Sequence, residues 1–299
     1  MSDTNDWIAP RSLLFVPGDS ERKQAKALTS GADALILDLE DSVAEDRLPQ
    51  ARQQVREFLG AARQPGTPQL WVRVNPLSGG KLLHDLRVVL AARPDGIVLP
   101  KVSAPEEVIE VGHYLSALEV REEHEPGSTR IIVIATETPA GVLNLSRYCG
   151  PIARLVGMTW GVEDLSAALG ASADASSADL TPVAQLAQSA CLLAANAIEA
   201  AAFDSVYVQF RDTEGMRREA QLARQYGFVG KLAIHPDQVG PINEAFTPSA
   251  EELREAQRVV DAFAAAPTAG VLSLDGRMLD KPHLVRARRL LSRARRGSK

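Results

Sequence analysis

Short runs of apolar, often β-branched residues alternate along the chain with longer amphipathic segments rich in Ala, Leu, Arg and Glu. The runs at residues 35–37 and 131–134 are apolar without a break, which is typical of strands buried on both faces of a parallel sheet. The pattern predicts eight strands, at residues 13–16, 34–39, 70–75, 96–99, 131–137, 155–160, 205–208 and 231–234.

Helices are predicted between the strands, at residues 21–29, 48–62, 105–118, 182–202 and 213–226. Two of them have clear start signals, because Ser103 and Thr181 lie just before Pro105 and Pro182. Eight strands that are each followed by a helix predict an α/β protein with a (β/α)₈ TIM barrel, and the pattern places this barrel in residues 1–247.

The pattern changes after residue 247. A helix at residues 251–263, a hairpin turn at Asp275-Gly276 and an Arg-rich helix from about His283 predict a small C-terminal module in residues 248–299. We interpret this module as a lid or an oligomerisation element. Residues 171–179, which are rich in Ala, Ser and Asp, are either a loop that covers a site or a plain exposed connection.

Composition mainly excludes classes of function. The chain has 33 Lys and Arg residues against 38 Asp and Glu, a formal net charge of −5 that does not favour nucleic acid as a partner. No run approaches the roughly 20 apolar residues of a membrane span. Cys149 and Cys191 have no paired spacing, so we interpret both as reduced core thiols and expect a cytoplasmic protein.

The candidate chemistry collects at one end of the predicted barrel. Reactive groups of a (β/α)₈ barrel lie at the C-terminal ends of its strands. Almost every predicted strand is followed there by polar or ionisable residues, among them Asp38, Glu40, Asp41, Arg73, Lys101, Glu137, Asp164, Arg211 and His235. Loops are usually polar, but a whole rim on which acids, an arginine and a lysine converge indicates a functional site.

Glu137 and Asp164 are candidate ligands of a metal ion. Glu137 follows the most apolar strand, where a carboxylate is costly unless it is paired or binds a cation. Asp164 follows the next strand, so the two carboxylates can share one hard cation, and Mg²⁺ suits two carboxylates completed by water and substrate oxygens. The alternative is that both carboxylates cap the helices that follow them.

Arg73 lies on a strand whose alternation points Trp71, Arg73 and Asn75 to one face. If that face is the barrel interior, Arg73 can bind a carboxylate through two nitrogens or stabilise a developing oxyanion. The alternative is an interior salt bridge with Glu40 or Asp41.

The three acids Asp38, Glu40 and Asp41 cannot all bind one metal ion. We expect at least one of them to orient Arg73, Lys101 or a water molecule from outside the metal's own ligands.

Two aromatic side chains have open interpretations. His235 is either a packed, hydrogen-bonding group or an acid–base catalyst, and Trp160 either lines the site or packs in the core. The sequence has no G-x-G-x-x-G after a strand, no phosphate loop and no G-x-S-x-G elbow. Dinucleotide, nucleoside-triphosphate and serine-hydrolase chemistry therefore have no support.

Seven segments, in order along the chain, resemble one family. They are residues 11–18, 38–43, 72–75, 100–101, 137–141, 161–165 and 234–238. Together they are similar to the citrate lyase β-subunit-like proteins, which belong with the malyl-CoA and citramalyl-CoA lyases to the HpcH/HpaI aldolase superfamily. The resemblance runs from Arg11 to about Leu290.

The resemblance implies a Mg²⁺-dependent barrel with Glu137 and Asp164 as its protein metal ligands. Arg73 would then bind the substrate and stabilise an oxyanion. Family members bind coenzyme A near the first strand, which places Phe15 and Lys26 at the thioester or its phosphates.

Further residues follow from the same resemblance. Ile234 and His235 would line the coenzyme A cleft. In the acyl-CoA lyases a neighbouring subunit's C-terminal module supplies an acid, and Asp280 matches that acid here. A homo-oligomer, specifically a trimer, is therefore expected.

The implied function is a carbon–carbon lyase that cleaves, or forms, a malyl-, citramalyl- or citryl-type CoA thioester, with acetyl-CoA and a 2-oxo acid such as oxaloacetate as products. Three alternatives stay open: a thioesterase on the same substrates, an aldolase that acts without coenzyme A, and a non-catalytic subunit that binds oxo acids or CoA esters. We expect small-molecule partners, and neither nucleic acid nor a membrane.

Overall fold

The chain forms a closed barrel of eight parallel strands in the computed structural model, which describes residues 7–171 and 181–296. The strands are β1 (Ser12–Pro17), β2 (Ala34–Asp38), β3 (Gln69–Arg73), β4 (Gly96–Leu99), β5 (Arg130–Ile134), β6 (Leu155–Thr159), β7 (Ala201–Asp204) and β8 (Gly230–Ala233). The pairing of β8 with β1, in which Lys231 lies opposite Ser12, closes the barrel. The predicted (β/α)₈ fold is confirmed.

Helices follow the strands around the barrel. They are α1 (Glu21–Ala27), α2 (Leu48–Ala62), α3 (Leu82–Val89), α4 (Pro105–Arg121), α5 (Pro139–Asn144), α6 (Glu163–Leu169), α7 (Pro182–Ala197), α8 (Thr213–Tyr226) and α9 (Val239–Phe246). Short 3₁₀ turns lie at Glu45–Arg47, Leu90–Ala92, Leu145–Arg147 and Pro236–Gln238.

The alternation along β3 determines which of its side chains enter the barrel. Leu70 and Val72 pack in the main apolar cluster with residues of α2 and α3, so they point outward. Trp71 and Arg73 therefore point into the barrel. A Cβ atom at Gly96 on the neighbouring strand would lie 2.2 Å from the Trp71 ring, so only glycine leaves room for this indole.

The seventh strand lies earlier than predicted. It spans Ala201–Asp204 rather than residues 205–208, and α7 ends at Ala197 rather than at residue 202. Two alanines in this strand continue the Ala-rich composition of the helix, whereas the next residues include two valines, so the local pattern favoured the wrong boundary. The chain leaves the helix near Glu199, which has a φ of 60°, and the pairing of Phe203 with Thr159 of β6 then determines the strand.

The two cysteines differ in exposure. Cys191 is buried on α7, and burial raises the pKa of its thiol to about 12. Cys149 is exposed, so the expectation of a core thiol is wrong there. Its neighbour Tyr148 takes the core position at the end of the 3₁₀ turn, and the Cys149 thiol instead donates to the Ser146 carbonyl, with Sγ 3.3 Å from the oxygen.

Two further expectations concern the surface. Among residues 7–171 and 181–296, no helix is long and apolar enough to cross a membrane. The segment interpreted as a loop over the site lies outside the described residues from residue 172 onward.

The chain divides into two compact units, one of which is the barrel over Ala9–Phe246. The other takes in Thr247–Lys299 and contains α10 (Ala250–Ala265), the antiparallel pair β9 (Val271–Leu274) and β10 (Arg277–Asp280), and α11 (Lys281–Arg296). Asp275 and Gly276 connect the two strands with φ angles of 50° and 76°, as expected of the predicted hairpin turn.

Candidate active site

The residues that the sequence singled out on the barrel meet at the C-terminal ends of β2 to β6. Asp38 and Arg73 are the last residues of β2 and β3. Lys101 lies two residues beyond β4, and Glu137 lies three residues beyond β5. Asp164 lies in the first turn of α6, the helix that follows β6. Neighbouring parallel strands therefore bring these side chains to one rim.

Arg73 is held from several sides. Its Nε and Nη2 each donate a hydrogen bond of 2.7 Å to the Asp38 carboxylate, in a bidentate pair. Nη1 lies 2.9 Å from Glu40 Oε2 and donates to Asp41 over 3.3 Å. Burial lowers the pKa of Arg73, but the Asp38 hydrogen bonds and charge outweigh it, so the pKa is raised. The guanidinium lies 4.8 Å from the centre of the Phe15 ring.

Lys101 connects the acids of β2 to the candidate metal ligands. Its backbone N–H donates a hydrogen bond of 2.5 Å to Glu137 Oε2, and the residue has a left-handed φ of 53°. Its Nζ contacts the Glu40 carboxylate and lies 3.3 Å from Asp41 Oδ1 and 3.4 Å from Asp164 Oδ1. Lys101 thus places both its backbone amide and its ammonium group in one site. A left-handed φ is unfavourable for a non-glycine residue, so the surrounding contacts must hold Lys101 in this conformation.

Glu137 is buried and carries little compensation for a negative charge. Burial raises the pKa of its carboxyl to about 8, with a further contribution from the charges of Glu40 and Asp164. The hydrogen bond from the Lys101 amide opposes this shift only in part. Thr138, not Glu137, caps α5, because Thr138 Oγ1 accepts the Gly141 N–H. The helix-cap alternative therefore fails for Glu137.

The rim has an excess of negative charge that a divalent cation would offset. Its carboxylates are Asp38, Glu40, Asp41, Glu137 and Asp164, and its cations are Arg73 and Lys101. Glu137 and Asp164 fit Mg²⁺, since hard carboxylate oxygens are its preferred protein ligands. In the described part of the chain no cluster of three or more acids, histidines and cysteines is arranged to hold a metal, so an ion held by these two carboxylates would need water or substrate oxygens as its other ligands.

The predicted coenzyme A residues lie on β1, on α1 and just after β8. Phe15 is on β1 beside Arg73, and Lys26 is exposed on α1. Ile234 is partly exposed just after β8. The His235 ring stacks on Phe210 at a centroid distance of 5.0 Å, and Phe210 also lies 5.5 Å from the Arg211 guanidinium.

The sequence pattern placed Arg211 after a predicted strand but did not single out its neighbour Phe210. An exposed aromatic ring beside an arginine was the available signal for a stacking surface, but its contact with His235 depends on the fold.

Two other candidates have clear positions. Trp160 is buried in the apolar cluster and donates from Nε1 to Asp204 Oδ1 over 2.8 Å, which agrees with its interpretation as a core residue. Asp280 lies in the C-terminal unit, with its Oδ1 2.6 Å from His283 Nδ1. This hydrogen bond lowers the pKa of Asp280, and the role of Asp280 as an acid stays a prediction.

The raised pKa of Glu137 predicts a pH dependence of stability in metal-free protein. The folded state keeps the Glu137 proton up to about pH 8, whereas the carboxyl in the unfolded chain loses it near its ordinary pKa of 4.5. This residue's contribution to stability therefore falls as the pH rises through this window. We expect Glu137→Gln, which mimics the protonated form, to gain stability relative to wild type between pH 6 and 9, by ~1–3 kcal/mol in urea unfolding with EDTA.

Glu119→Gln is the matched control. Burial raises the pKa of Glu119, but the Arg154 hydrogen bonds and the amides of Gly127 and Thr129 outweigh it and lower the pKa to about 2. Its removal should cost stability by the same amount at pH 6 and pH 9. A Glu137→Gln difference that is equally flat over this range would contradict the raised pKa.

These features define a class: a (β/α)₈ barrel enzyme with two carboxylates that fit a hard cation, on the same rim as a largely buried arginine bound to a carboxylate. The model of the HpcH/HpaI aldolase/citrate lyase family matches residues 11–236. The chain belongs to this family.

Relatives within the family have different names. The chain is 32% identical to the mitochondrial citramalyl-CoA lyase of Rattus norvegicus, over 96% of this chain and 87% of that protein. It is 35% identical to a (3S)-malyl-CoA thioesterase of Cereibacter sphaeroides, over 95% of this chain and 94% of that protein. It also resembles the solved CitE protein of Mycobacterium tuberculosis in complex with magnesium, acetoacetate and coenzyme A, with a TM-score of 0.75, 33% identity and coverage of 96% and 98% of the two chains.

Proposed function

We propose that the protein is a Mg²⁺-dependent lyase that cleaves, or forms in the reverse direction, the CoA thioester of a short 2-hydroxy acid, with acetyl-CoA and a 2-oxo acid as products. The observation that carries this proposal is the bidentate Arg73–Asp38 pair, which lies on the same rim as the buried Glu137 and the Asp164 carboxylate. The citramalyl-CoA lyase relative and the magnesium and coenzyme A of the CitE complex support it.

Glu137 and Asp164 would hold the Mg²⁺ ion. When bound, this ion supplies positive charge that favours ionisation of the substrate's 2-hydroxyl group. Arg73 binds the thioester side of the substrate and stabilises the oxyanion of the enolate that departs when the carbon–carbon bond breaks. Asp38 keeps the guanidinium in one orientation, because two parallel hydrogen bonds fix its plane.

The proton balance requires an acid. The 2-hydroxyl group loses its proton to solvent as the 2-oxo acid forms, and the enolate carbon of acetyl-CoA gains one from an acid. We assign the second transfer to Asp280, which in the condensation direction would remove the same proton.

The coenzyme A moiety would extend from Arg73 toward the end of β8. Phe15 and Lys26 would contact the thioester end or its phosphates, and Ile234 and His235 would line the same cleft. The stacked Phe210 and His235 rings, with Arg211 alongside, offer a surface for a planar base and its phosphates.

Phe210→Ala tests this surface. We expect the KM for the CoA thioester to rise about tenfold, since base stacking on an aromatic ring is worth ~1–3 kcal/mol. The value of kcat should change little, because stacking on the base would stabilise the bound substrate and the transition state equally. Steady-state kinetics with the matching pantetheine thioester, which lacks the base, provides the control: its KM should be the same in both proteins. An equal rise for both substrates would contradict a base-binding role.

The direct test of the function is product analysis. Purified protein with Mg²⁺ is incubated separately with malyl-CoA, citramalyl-CoA and citryl-CoA, while phenylhydrazine traps any 2-oxo acid and a disulfide reagent detects free thiol. An oxo acid together with acetyl-CoA identifies a lyase and its substrate. If none of the thioesters released an oxo acid, acetyl-CoA or free thiol, the proposal would be overturned in favour of a CoA-independent aldolase or a binding subunit.

A thioesterase is the second candidate. The similarity to a (3S)-malyl-CoA thioesterase favours it, and that relative shares almost the full length of this chain. Free thiol without any oxo acid in the same assay would establish this activity instead.

We further propose that the C-terminal module acts as a lid and oligomerisation element in a cytoplasmic homotrimer, in which Asp280 serves the barrel of a neighbouring copy. Arg73→Lys and Asp280→Asn would each be strongly impaired alone. Co-expressed with different tags, they should recover activity, because about a quarter of the sites in randomly mixed oligomers combine an intact Arg73 with an intact Asp280.

Sedimentation of the co-purified hybrid verifies that both variants share one oligomer. A wild-type protein that sediments as a monomer and keeps full activity would contradict this arrangement.

A further inference from the structure

Asp85 on α3 is a completely buried carboxylate with no part in the chemistry described above. Its Oδ2 accepts two hydrogen bonds from Asn75, one from the backbone N–H over 2.7 Å and one from Nδ2 over 2.8 Å. Its Oδ1 accepts a hydrogen bond of 2.7 Å from Nε of Arg52 on α2. A buried charge with this many well-formed bonds holds its partners in one arrangement.

Asn75 connects Asp85 to the acidic segment 38–41, which starts at the last residue of β2. Its Nδ2 also donates a hydrogen bond of 2.9 Å to the carbonyl oxygen of Leu39. The N–H of Leu39 donates to the carbonyl oxygen of Arg73 over 2.9 Å. The backbone C=O and N–H of Leu39 are therefore both hydrogen-bonded to residues at the end of β3 or just beyond it.

Leu39 lies between the two acids that hold Arg73. Asp38 makes the bidentate contact with the guanidinium, and Glu40 lies 2.9 Å from its Nη1. A shift of the Leu39 carbonyl would move both neighbouring carboxylates. The guanidinium would then lose its fixed plane, because the two parallel hydrogen bonds to Asp38 set its orientation.

We propose that Asp85 and Asn75 are positioning residues for Arg73, acting through the peptide of Leu39. Asp85 orients the Asn75 amide, and the amide holds the Asp38–Asp41 segment in register with the end of β3. This inference rests on the proposed function for its kinetic test, but it also makes a structural claim that can be measured without turnover.

The first experiment compares Asn75→Ala with wild type. Displacement of a catalytic group by about 1 Å can cost roughly 10²-fold in rate. We therefore expect kcat for thioester cleavage to fall 10- to 100-fold, with KM changed by less than about threefold. Asp85→Asn should lower kcat in the same way, because its amide cannot accept from both Asn75 and Arg52 as the carboxylate does.

A double variant tests the direction of the effect. In Arg52→Gln with Asp85→Asn, the new amides can bond to each other and leave the asparagine oxygen free to accept from Asn75. Recovery of kcat toward the wild-type value would show that the acceptor, not the buried charge, is what matters.

Glu119→Gln is the matched control for a merely structural role. Glu119 is equally buried, is paired with Arg154 over 2.7 Å, and accepts the Gly127 and Thr129 amides before β5 starts. This substitution should lower Tm as Asn75→Ala does while leaving kcat within about threefold of wild type. A kcat for Asn75→Ala that matches this control would overturn the proposal.

The second measurement does not depend on turnover. The Arg73 Nε–H group is buried against Asp38, so its ¹⁵N resonance, assigned by its loss in Arg73→Lys, reports the orientation of the guanidinium. We expect Asn75→Ala to shift or broaden this signal and Glu119→Gln to leave it unchanged. If wild type cleaves no thioester, the proposed function fails, and an unshifted signal in Asn75→Ala separately overturns the positioning role.

Discussion

Arg73→Lys is expected to lower kcat for thioester cleavage by about 10³-fold, since loss of one donor to a developing oxyanion typically costs 10²- to 10³-fold. A lysine ammonium keeps the charge, but with only one nitrogen it cannot make two parallel bonds to Asp38 and also present another nitrogen to the substrate. The charge alone is therefore insufficient. Single-turnover kinetics with saturating substrate measures this loss without interference from weaker binding.

Arg154→Lys is the matched control for this substitution. Arg154 is also a buried arginine bound to one carboxylate, Glu119, but at the end of the barrel where β5 starts. We expect a lower Tm and an unchanged kcat. If Arg73→Lys behaved in the same way, Arg73 would be a structural salt bridge, which was the alternative considered for this residue.

Glu137→Gln is expected to weaken Mg²⁺ binding by about 10²-fold or more and to abolish turnover at ordinary metal concentrations. The loss of a single partner around a bound metal already costs 10- to 100-fold in affinity, and a direct carboxylate ligand contributes more. Calorimetry with Mg²⁺, or the electron paramagnetic resonance of free Mn²⁺, measures the affinity directly. Asp164→Asn should have a similar effect.

Asp41→Asn separates a ligand role from the general negative charge of the rim. Asp41 is half exposed and contacts Arg73 and Lys101. Its loss removes one charge near the site and should weaken Mg²⁺ binding by less than about tenfold. Equal losses in Asp41→Asn and Glu137→Gln would indicate that the ion is held by the field of the cluster and not by two ligands.

The local pattern was sufficient for most of the barrel, and its one clear error is informative. In strands such as Arg130–Ile134, four consecutive β-branched apolar residues follow the first position, so their sequence excludes an exposed helix face. Ala201–Asp204 lacks this signal because its first two residues are alanines. Its pairing with β6 and β8 outweighs the helical preference of alanine, and no local pattern contains that pairing.

The residues of the candidate site also fall into those that the sequence pattern indicates and those that only the fold reveals. Glu137, Asp164, Arg73 and Lys101 could be identified because polar residues at strand ends must share one rim in a parallel barrel. Asp85 could not, since one aspartate in an amphipathic helix has no pattern that separates it from a solvent-exposed residue. Its role depends on Asn75, which the alternation of β3 placed on the same face as Arg73 but which bonds to α3 and to β2.

The sequence alone therefore determined the barrel, the rim that carries the chemistry and the family resemblance, because all three depend on the order and spacing of residues along the chain. Tertiary structure alone decided that the Lys101 amide binds Glu137 and that Asn75 holds Leu39. Each of these contacts joins residues 36 positions apart. Barrel closure brings them together at bonding distance, and periodicity within one strand or helix contains no information about that closure.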